Sequence, residues 1–364
     1  MSLAREQLLR MIGNGEIIKQ QSLGPLALEQ CDLSGGIFTN VAFTGTQLAH
    51  ARLSECVFNE CVFTDVDLSG ADLSKSHLLN GELIRTSFLE STLDDCRLNN
   101  TRACGTRFTG ARATRLAFLK SDLSGCRFDA THIEFGFFDE TPMPGADFSN
   151  AVIRQCVFYR SDLRDVRFAQ SQFDRVVFTE SNLADQAFRG QTLRRCQFID
   201  TDLRRVDFTS ASLPQCNFQG ATLEAAVLDG ADAPLANFFG ANASGAQCRG
   251  ARFPNSIWVD AHVSNSDFTR ADLSGAVFHR ADANQSRFVH ARLEGADFSH
   301  AELSNADFHQ ATFERTRFDR ARANPDGHAG APPWQGRAGL VDNDAALCAA
   351  ETWSAHRDSR GLPL

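Results

Sequence analysis

Cysteine and histidine are the residues of this sequence that could do the most chemistry, because thiolates and imidazoles bind metals and act as nucleophiles and bases. The chain contains 11 Cys and 10 His, but it has no Cys-x-x-Cys and no His-x-x-x-His spacing. Histidines such as His77, His132 and His262 are scattered, and no phosphate-binding or dinucleotide-binding glycine motif occurs. The sequence therefore predicts no metal, no cofactor and no enzymatic activity.

A period of five residues organises most of the chain and accounts for its composition. Of the 59 positions taken every fifth residue from 33 to 323, 52 are Leu, Phe, Ile, Val, Met or Trp. Of the 30 Phe, 27 occupy these central positions. Helices repeat at about 3.6 residues and strands at about 2, so a period of five indicates short extended segments separated by tight turns.

Small side chains occupy the position two residues before each central residue, and we expect them to point inward as well. Of the 59 such positions, 56 are Ala, Ser, Thr, Cys, Val or Gly, and the exceptions are Leu116, Gln186 and Gln191. The cysteines at these positions are Cys31, Cys56, Cys61, Cys96, Cys126, Cys156, Cys196 and Cys216. A buried free cysteine packs as a small apolar residue, so we expect these thiols to be structural.

Several five-residue units carry a family resemblance. Ala71-Asp-Leu-Ser-Lys, Ala271-Asp-Leu-Ser-Gly and Ala296-Asp-Phe-Ser-His resemble the A(D/N)LxX unit of pentapeptide-repeat proteins. The resemblance covers about 290 of the 364 residues in one unbroken register. It implies an all-β fold, a right-handed quadrilateral β-helix (a pentapeptide-repeat solenoid) with four pentapeptides in each coil and about 14 to 15 coils in total.

The central residues sort into four columns when the sequence is read in steps of 20. One column is mostly phenylalanine from Phe118 to Phe318, and the column ten residues away carries phenylalanine from Phe88 to Phe208. The two columns between them are mostly leucine. We expect each column to stack along the solenoid axis as a dry core, with coils about 4.8 Å apart.

Surface positions that flank the longer phenylalanine column are unusually apolar. We predict a partner-binding face there, because large exposed apolar patches usually mark interfaces. Its candidate residues are Val157, Tyr159, Val177, Ile199, Phe239, Ile257, Val259 and Val277. The alternative is that Val and Ile fill half-exposed strand positions only because they favour extended backbone.

Charged residues form two patterns. Asp232, Arg252, Asp272 and Arg292 alternate in sign at 20-residue steps, which predicts ladders of opposite charge on successive coils. A group of arginines over about three coils predicts a basic patch on adjoining faces that could bind an acidic partner, and an ordinary solvated surface is the alternative. Its members are Arg154, Arg164, Arg175, Arg194, Arg195, Arg204 and Arg205.

Segments of different composition lie at both ends of the repeat. We divide the chain into an N-terminal helical cap (1–22), the solenoid (23–323), a Pro/Gly-rich linker (324–341) and a C-terminal helix with its tail (342–364). The N-terminal helix is predicted over residues 3–12, and residues 134–145, which contain two prolines, predict a distorted turn or bulge. A simple cap needs no such linker, so Leu347 and Trp353 are predicted to dock on a partner or on a second subunit of a homodimer.

Charge and hydropathy restrict the class of protein. The net charge of -9 and the pI near 5.6 argue against direct binding of nucleic acid. No stretch reaches the roughly 18 apolar residues of a membrane helix, so we expect no membrane span. The start of the chain lacks the apolar run of a signal peptide, so we expect a cytoplasmic protein, with export that needs no cleaved signal left open.

These observations lead to two functional hypotheses. The first is a non-enzymatic scaffold or adaptor that presents solenoid faces to a protein partner, a role that the resemblance extends to bacterial secretion-associated proteins. The second, which the resemblance also implies, is a DNA mimic that binds gyrase or another topoisomerase. A mimic needs a sustained negative stripe, and the alternating charges and the arginine group interrupt any such stripe in this sequence.

Overall fold

The computed structural model describes residues 4–323, which form one short helix followed by a long parallel β-solenoid. Helix α1 spans Arg5–Gly13. The strands are β1 (Ile17–Lys19), β2 (Ser22–Leu23), β3 (Ile37–Thr39), β4 (Ala42–Thr44), β5 (Val57–Asn59), β6 (Val62–Thr64), β7 (His77–Leu79), β8 (Glu82–Ile84), β9 (Arg97–Asn99), β10 (Arg112–Thr114), β11 (Ala117–Leu119), β12 (His132–Glu134), β13 (Phe137–Asp139), β14 (Val152–Arg154), β15 (Val157–Tyr159), β16 (Gln172–Asp174) and β17 (Leu193–Arg194). The predicted all-β solenoid is confirmed.

One coil takes 20 residues, because each strand residue pairs in parallel with the residue 20 positions further along the chain. Phe38 lies beside Phe58 in this way, and Val157 lies beside Val177. The ladder that begins at Ile17 continues in steps of 20 as far as Arg317, which makes about fifteen coils. Four pentapeptides therefore make up each coil.

Four faces surround the core, and we number them in the order in which the chain passes through them. Face one contains the sheet β1-β3-β5-β7-β9-β11-β13-β15, and face two contains the sheet β2-β4-β6-β8. Single bridges such as Gln47 with Asp67 hold face three, and face four contains the sheet β10-β12-β14-β16-β17. Faces one and three are half a coil apart and lie opposite each other, as do faces two and four.

Stacked aromatic rings from faces one and three fill the core. On face one the ring centroids of Phe138 and Phe158 are 4.5 Å apart at an interplanar angle of 8°, and those of Phe158 and Phe178 are 5.4 Å apart. Rings from the two faces meet edge to face, as Phe148 and Phe158 do at 80°. The predicted stacking at 20-residue steps is therefore confirmed, and this ring geometry adds to the free energy gained from burial.

A tight turn at each corner explains the period of five. The residue two places after nearly every central residue has a positive φ, whether it is a glycine such as Gly245 at 70° or another residue such as Arg195 at 53°; Asp165 is an exception. The residue before the central one supports the turn, since the Asp147 carboxylate accepts a 2.9 Å hydrogen bond from the Ser149 amide. Asp and Asn recur at that position because their side chains stabilise turns in this way.

The N-terminal boundary of the solenoid lies earlier than the sequence analysis placed it. Helix α1 begins at Arg5 and ends at Gly13, and strand β1 already forms inside the segment 1–22 that was assigned to the cap. The reason is that Ile18 continues the five-residue register backwards and stacks on Phe38. Leu8 of α1 is fully buried at this end of the core.

The proline-containing segment 134–145 does not form the predicted bulge, because pairing keeps the 20-residue register on both sides of it. Pro142 has no amide hydrogen to donate. Among the described residues, neither Asp122 nor Asp162 forms a bridge with Pro142, although both stand 20 residues from it. The segment is therefore a gap in one ladder and not a change of register.

Two predicted segments, the linker 324–341 and the helix and tail 342–364 with Leu347 and Trp353, lie outside the described residues. Within residues 4–323, no helix is both long enough and apolar enough to cross a membrane.

Candidate functional site

Nine of the ten cysteines within residues 4–323 are buried, and Cys104 is exposed. Cys56, Cys96 and Cys156 are buried free thiols, and burial raises the pKa of each to about 12, which keeps the thiol protonated near neutral pH. Across residues 4–323, no group of three or more His, Cys, Asp or Glu side chains is arranged to hold a metal ion.

Exposed apolar side chains concentrate on one side of the solenoid. Every large apolar residue that is exposed within the described part of the chain lies on face one or at the corner that leads into it. These residues are Ile17, Ile37, Phe135, Phe137, Leu235, Phe239 and Ile257. Three of them, Phe135, Phe137 and Phe239, are the phenylalanines that do not occupy central positions. Face one is therefore the most apolar surface of the molecule.

The predicted apolar face divides into two groups by exposure. Phe239 and Ile257 are exposed, at 42% and 41%. The other candidates are half-buried, because neighbouring coils cover one side of each side chain; they are Val157, Tyr159, Val177, Ile199, Val259 and Val277. Sequence reasoning did not include Leu235, which is 54% exposed at a corner position.

A ladder of amides interrupts the apolar face. In the outward column of face one, Gln197, Asn217 and Asn237 lie between Val177 and Ile257. The Asn217 Nδ2 donates to Gln197 Oε1 at 3.1 Å, and Asn237 Nδ2 donates to Asn217 Oδ1 at 3.0 Å. The amide ladder thus separates two apolar patches on this part of face one.

The two patches have different surroundings. The proximal patch contains Phe135, Phe137, Val157, Tyr159 and Val177, and the distal patch contains Leu235, Phe239, Ile257, Val259 and Val277. In the proximal patch, the Arg160 guanidinium lies 4.7 Å from the Tyr159 ring centroid, and Tyr159 also donates to Glu180. At the edge of the distal patch, Asp260 and Arg280 pair with each other at 2.6 Å. The distal patch is therefore the more purely apolar of the two.

The seven predicted basic residues do not form one cluster. Arg154, Arg175, Arg194 and Arg195 lie on face four or its corner, whereas Arg164, Arg204 and Arg205 lie on face two or its corner. The prediction of adjoining faces was wrong, because Arg194 and Arg204 are ten residues, and hence half a coil, apart. The 20-residue period of the sequence was sufficient to place these two arginines on opposite faces.

On face two the arginines are neutralised by nearby carboxylates. Arg164 pairs with Asp162 at 2.7 Å and Arg204 with Asp202 at 2.6 Å, each within its own coil. Arg205 pairs with Asp185 of the preceding coil at 2.7 Å, and this contact lowers the pKa of the Asp185 carboxyl. These residues form an ordinary charged surface.

On face four the arginines surround an open depression of about 700 Å³. Arg154 is 3.3 Å from Glu134, and the Arg195 Nε donates to Gln215 Oε1 at 2.8 Å. Within residues 4–323, neither Arg175 nor Arg194 has a carboxylate within 4.0 Å. Asp174 also lines the depression. This face therefore keeps uncompensated positive charge.

The predicted ladders of opposite charge are present. Arg252 lies 3.6 Å from Asp232, and Arg292 lies 3.6 Å from Asp272. All four side chains are on face four, so carboxylates there do not form a continuous negative stripe.

Family models match most of the solenoid. A model described as "Pentapeptide repeats (8 copies)" matches residues 91–129, 171–209, 181–220, 216–253, 246–285 and 286–322. A "Pentapeptide repeat region" model matches residues 31–108, and "Pentapeptide repeats (9 copies)" matches residues 138–182. No curated protein matches the chain.

Solved structures with a related repeat architecture are only distantly similar. Trypsin-treated QnrB1, a plasmid-mediated fluoroquinolone resistance protein, is 20% identical over 43% of this chain and 82% of its own, with a TM-score of 0.27. HetL from the cyanobacterium Nostoc sp. strain PCC 7120, involved in heterocyst differentiation regulation, is 21% identical over 90% of this chain and 99% of its own, with a TM-score of 0.18. At such values the likeness says nothing about what this chain binds.

Proposed function

This chain belongs to the pentapeptide-repeat family, and we propose that it is a non-enzymatic, cytoplasmic scaffold that holds a protein partner on face one. The observation that carries the proposal is that the exposed large apolar side chains all lie on face one or its leading corner. If Val and Ile were there only for their strand propensity, the other three faces would carry exposed apolar residues as well. Their restriction to one side favours an interface.

The distal patch is the part of face one best suited to bind. Phe239, Ile257 and Leu235 project from neighbouring coils of a rigid, fully paired ladder, so little conformational entropy is lost when a partner covers them. An apolar centre that contains an aromatic residue and is surrounded by a polar rim is the usual composition of a protein interface. The adjacent amide ladder and the Asp260–Arg280 pair supply such a rim.

The proposal is tested by one charged substitution with a matched control. A photo-crosslinker placed at residue 259 captures the partner from the native cell and identifies it by mass spectrometry. With the identified partner, Ile257→Glu should weaken binding by about ten-fold or more, because it places a charge at the centre of the apolar patch. Calorimetry with the purified proteins measures the change.

Gln247→Glu is the matched control, because Gln247 occupies the equivalent exposed outward position half a coil away on face three. It adds the same charge to the same type of position and should leave the affinity unchanged. An unchanged affinity for Ile257→Glu, or an equal loss for both variants, would remove face one as the binding surface.

DNA mimicry has less support than the scaffold role. The carboxylates of Asp232 and Asp272 lie close to arginines of the next coil, and face four carries uncompensated arginines. A supercoiling assay with gyrase separates the two functions, and we expect no inhibition by the added protein. Inhibition that survives Ile257→Glu would favour the mimic over the scaffold.

A further inference from the structure

On faces three and four, the ladders open between the same two coils. On face three, Asp147 pairs with Arg167 and Ala187 pairs with Asp207, but within the described residues no bridge joins Arg167 to Ala187. Around the next corner, on face four, the same coils again lack a bridge, between Gln172 and Thr192. We call this opening the seam; it lies between residues 166–172 and residues 186–192.

Backbone groups at the seam lose the partners that their equivalents have in the other coils of face three. One coil earlier, the amides of Phe148 and Asn150 donate to the carbonyls of the following coil at 2.8 and 2.9 Å. The equivalent amides of Phe168 and Gln170 have no backbone acceptor within residues 4–323. In the regular pattern these two amides would donate to the carbonyls of Ala187 and Arg189, so those carbonyls do not receive these hydrogen bonds either. The seam therefore offers both donors and acceptors.

Two glutamines explain why the seam opens. Gln186 and Gln191 stand at inward positions that almost everywhere else hold a small residue. The Gln186 side chain is buried, and its Nε2 lies 2.8 Å from the Val166 carbonyl oxygen and 2.5 Å from that of Leu163, so it replaces a backbone donor with a side-chain donor. The side chains need more room than Ala or Ser, which pushes the two coils apart locally.

The seam joins the arginine-lined depression of face four. A second open depression of about 650 Å³ lies over the seam on face three, and both depressions are lined by Gln172 and Thr192. They form one bent groove that runs from unpaired backbone groups on face three to Arg175 and Arg194 on face four. Asp174 is the single carboxylate that lines the groove.

We propose that this groove binds an acidic, extended peptide segment of the protein partner, an inference that rests on the proposed scaffold function. The unpaired arginines recognise carboxylate side chains by charge-assisted hydrogen bonds. The unpaired amides and carbonyls of the seam can exchange hydrogen bonds with a peptide backbone, which has both kinds of group. A sulfate ion only accepts hydrogen bonds and would leave the carbonyls unsatisfied.

The experiment measures fluorescence anisotropy of labelled hexaglutamate with the full-length protein at low ionic strength. The unaltered protein should bind the peptide, and added salt should weaken binding because exposed charges are screened. The double variant Arg175→Ala/Arg194→Ala should bind about ten-fold more weakly. Arg204→Ala/Arg205→Ala is the matched control on face two, where the arginines already have carboxylate partners, and should bind as the unaltered protein does.

A second variant tests the seam without removing any charge. Gln186→Ser/Gln191→Ser restores the residue size found in other coils, so the ladder should close and the affinity for hexaglutamate should fall although every arginine remains. Hydrogen exchange reports the closure directly. In the unaltered protein the amides of Phe168 and Gln170 should exchange faster than those of Phe148 and Asn150, and the bound peptide should slow them.

The outcomes separate this inference from the function on which it rests. Equal binding by the face-four and face-two arginine variants, or full competition by inorganic phosphate at the same concentration as hexaglutamate, would overturn the peptide site. Undiminished binding by the glutamine variant would overturn the role of the seam. Ile257→Glu should not change hexaglutamate binding. Loss of the peptide site would therefore leave the proposed binding of a partner to face one untouched. In the same way, a result that excludes face one as a binding surface would leave the hexaglutamate measurement valid.

Discussion

At the scale of single residues, the central phenylalanines supply most of the largest fully buried side chains. Phe178 is fully buried, and its ring stacks on Phe158 at 5.4 Å and on Phe198 at 5.2 Å. A repeat protein gains its stability from such contacts between neighbouring coils. The loss of one ring therefore weakens the interfaces with two coils at once.

We expect Phe178→Ala to lower the free energy of unfolding by about 3 to 5 kcal/mol, from lost burial and from the cavity that remains. Urea denaturation followed by circular dichroism measures the change. Phe239→Ala is the control, because Phe239 lies outside the core and is 42% exposed; it should cost well under half as much. Similar losses for both variants would show that a central position in the repeat does not determine how much a phenylalanine contributes to the free energy of unfolding.

The residue pattern was sufficient to predict which side chains are buried and which charges alternate between successive coils, as Asp232 and Arg252 do, but not every ion pair. Every fifth residue is large and apolar only if it faces a core, and this fixes the central positions from the sequence. Ion pairs depend on side-chain conformation: Arg164 bends back to Asp162 in its own coil, whereas Arg205 reaches Asp185 in the preceding one. No sequence pattern distinguishes these two choices.

At the scale of the element, the pentapeptide unit stores backbone strain at its last residue. That residue adopts a left-handed conformation, which glycine accepts readily and other residues accept at a cost of about 1 kcal/mol. Ala225 and Gly245 occupy stacked corners on face two, with φ of 54° and 70°. A side-chain carbon added at Gly245 would meet nothing within 4 Å, so this pair isolates the backbone effect.

We expect Gly245→Ala to lower the free energy of unfolding by about 1 kcal/mol or less, and Ala225→Gly to change it in the opposite direction. The opposite signs arise because the same conformation is strained for alanine and unstrained for glycine. Denaturant midpoints of the two variants and of the parent protein measure both changes. If both variants are destabilised, the entropy of glycine in the unfolded chain outweighs the strain at these corners.

The seam shows how far the element could be predicted. Gln186 and Gln191 were visible in the sequence as departures from the small residues at inward positions. Their consequence was not visible, because a side chain that is too large for its place can turn outward, shift the register or separate two coils. The structure shows a local loss of pairing with the register kept, since Phe173 still pairs with Leu193 across the same two coils.

At the scale of the whole molecule, the two ends of a solenoid expose backbone groups, because no further coil is present to form hydrogen bonds with them. The N-terminal end is covered by α1, in which Leu8 is fully buried and Leu9, Met11 and Ile12 are packed against the core. At the other end, Phe313 and Phe318 of the last described coil are half-buried, although the central residues before them are buried. The two ends of the described solenoid therefore differ.

The sequence after residue 323 indicates a role in association for the C-terminal end of the chain. A Pro/Gly-rich linker precedes a segment with the apolar residues Leu347 and Trp353, and a segment that only covered the last coil would not need such a linker. We therefore predict that this tail docks on a second subunit or on the partner. Exposed strand edges favour association of this kind unless something covers them.

A stop codon at position 324 tests this prediction. The shortened protein should keep the circular dichroism of a β-solenoid, because the coils are stabilised by their neighbours, but it should lose a defined dimer in light scattering or lose binding to the identified partner. Retention of both the oligomeric state and partner binding would exclude an association role for the tail. Retention of both together with slow aggregation would identify the tail as a cap, because an edge left open pairs with other molecules only gradually and without a defined stoichiometry.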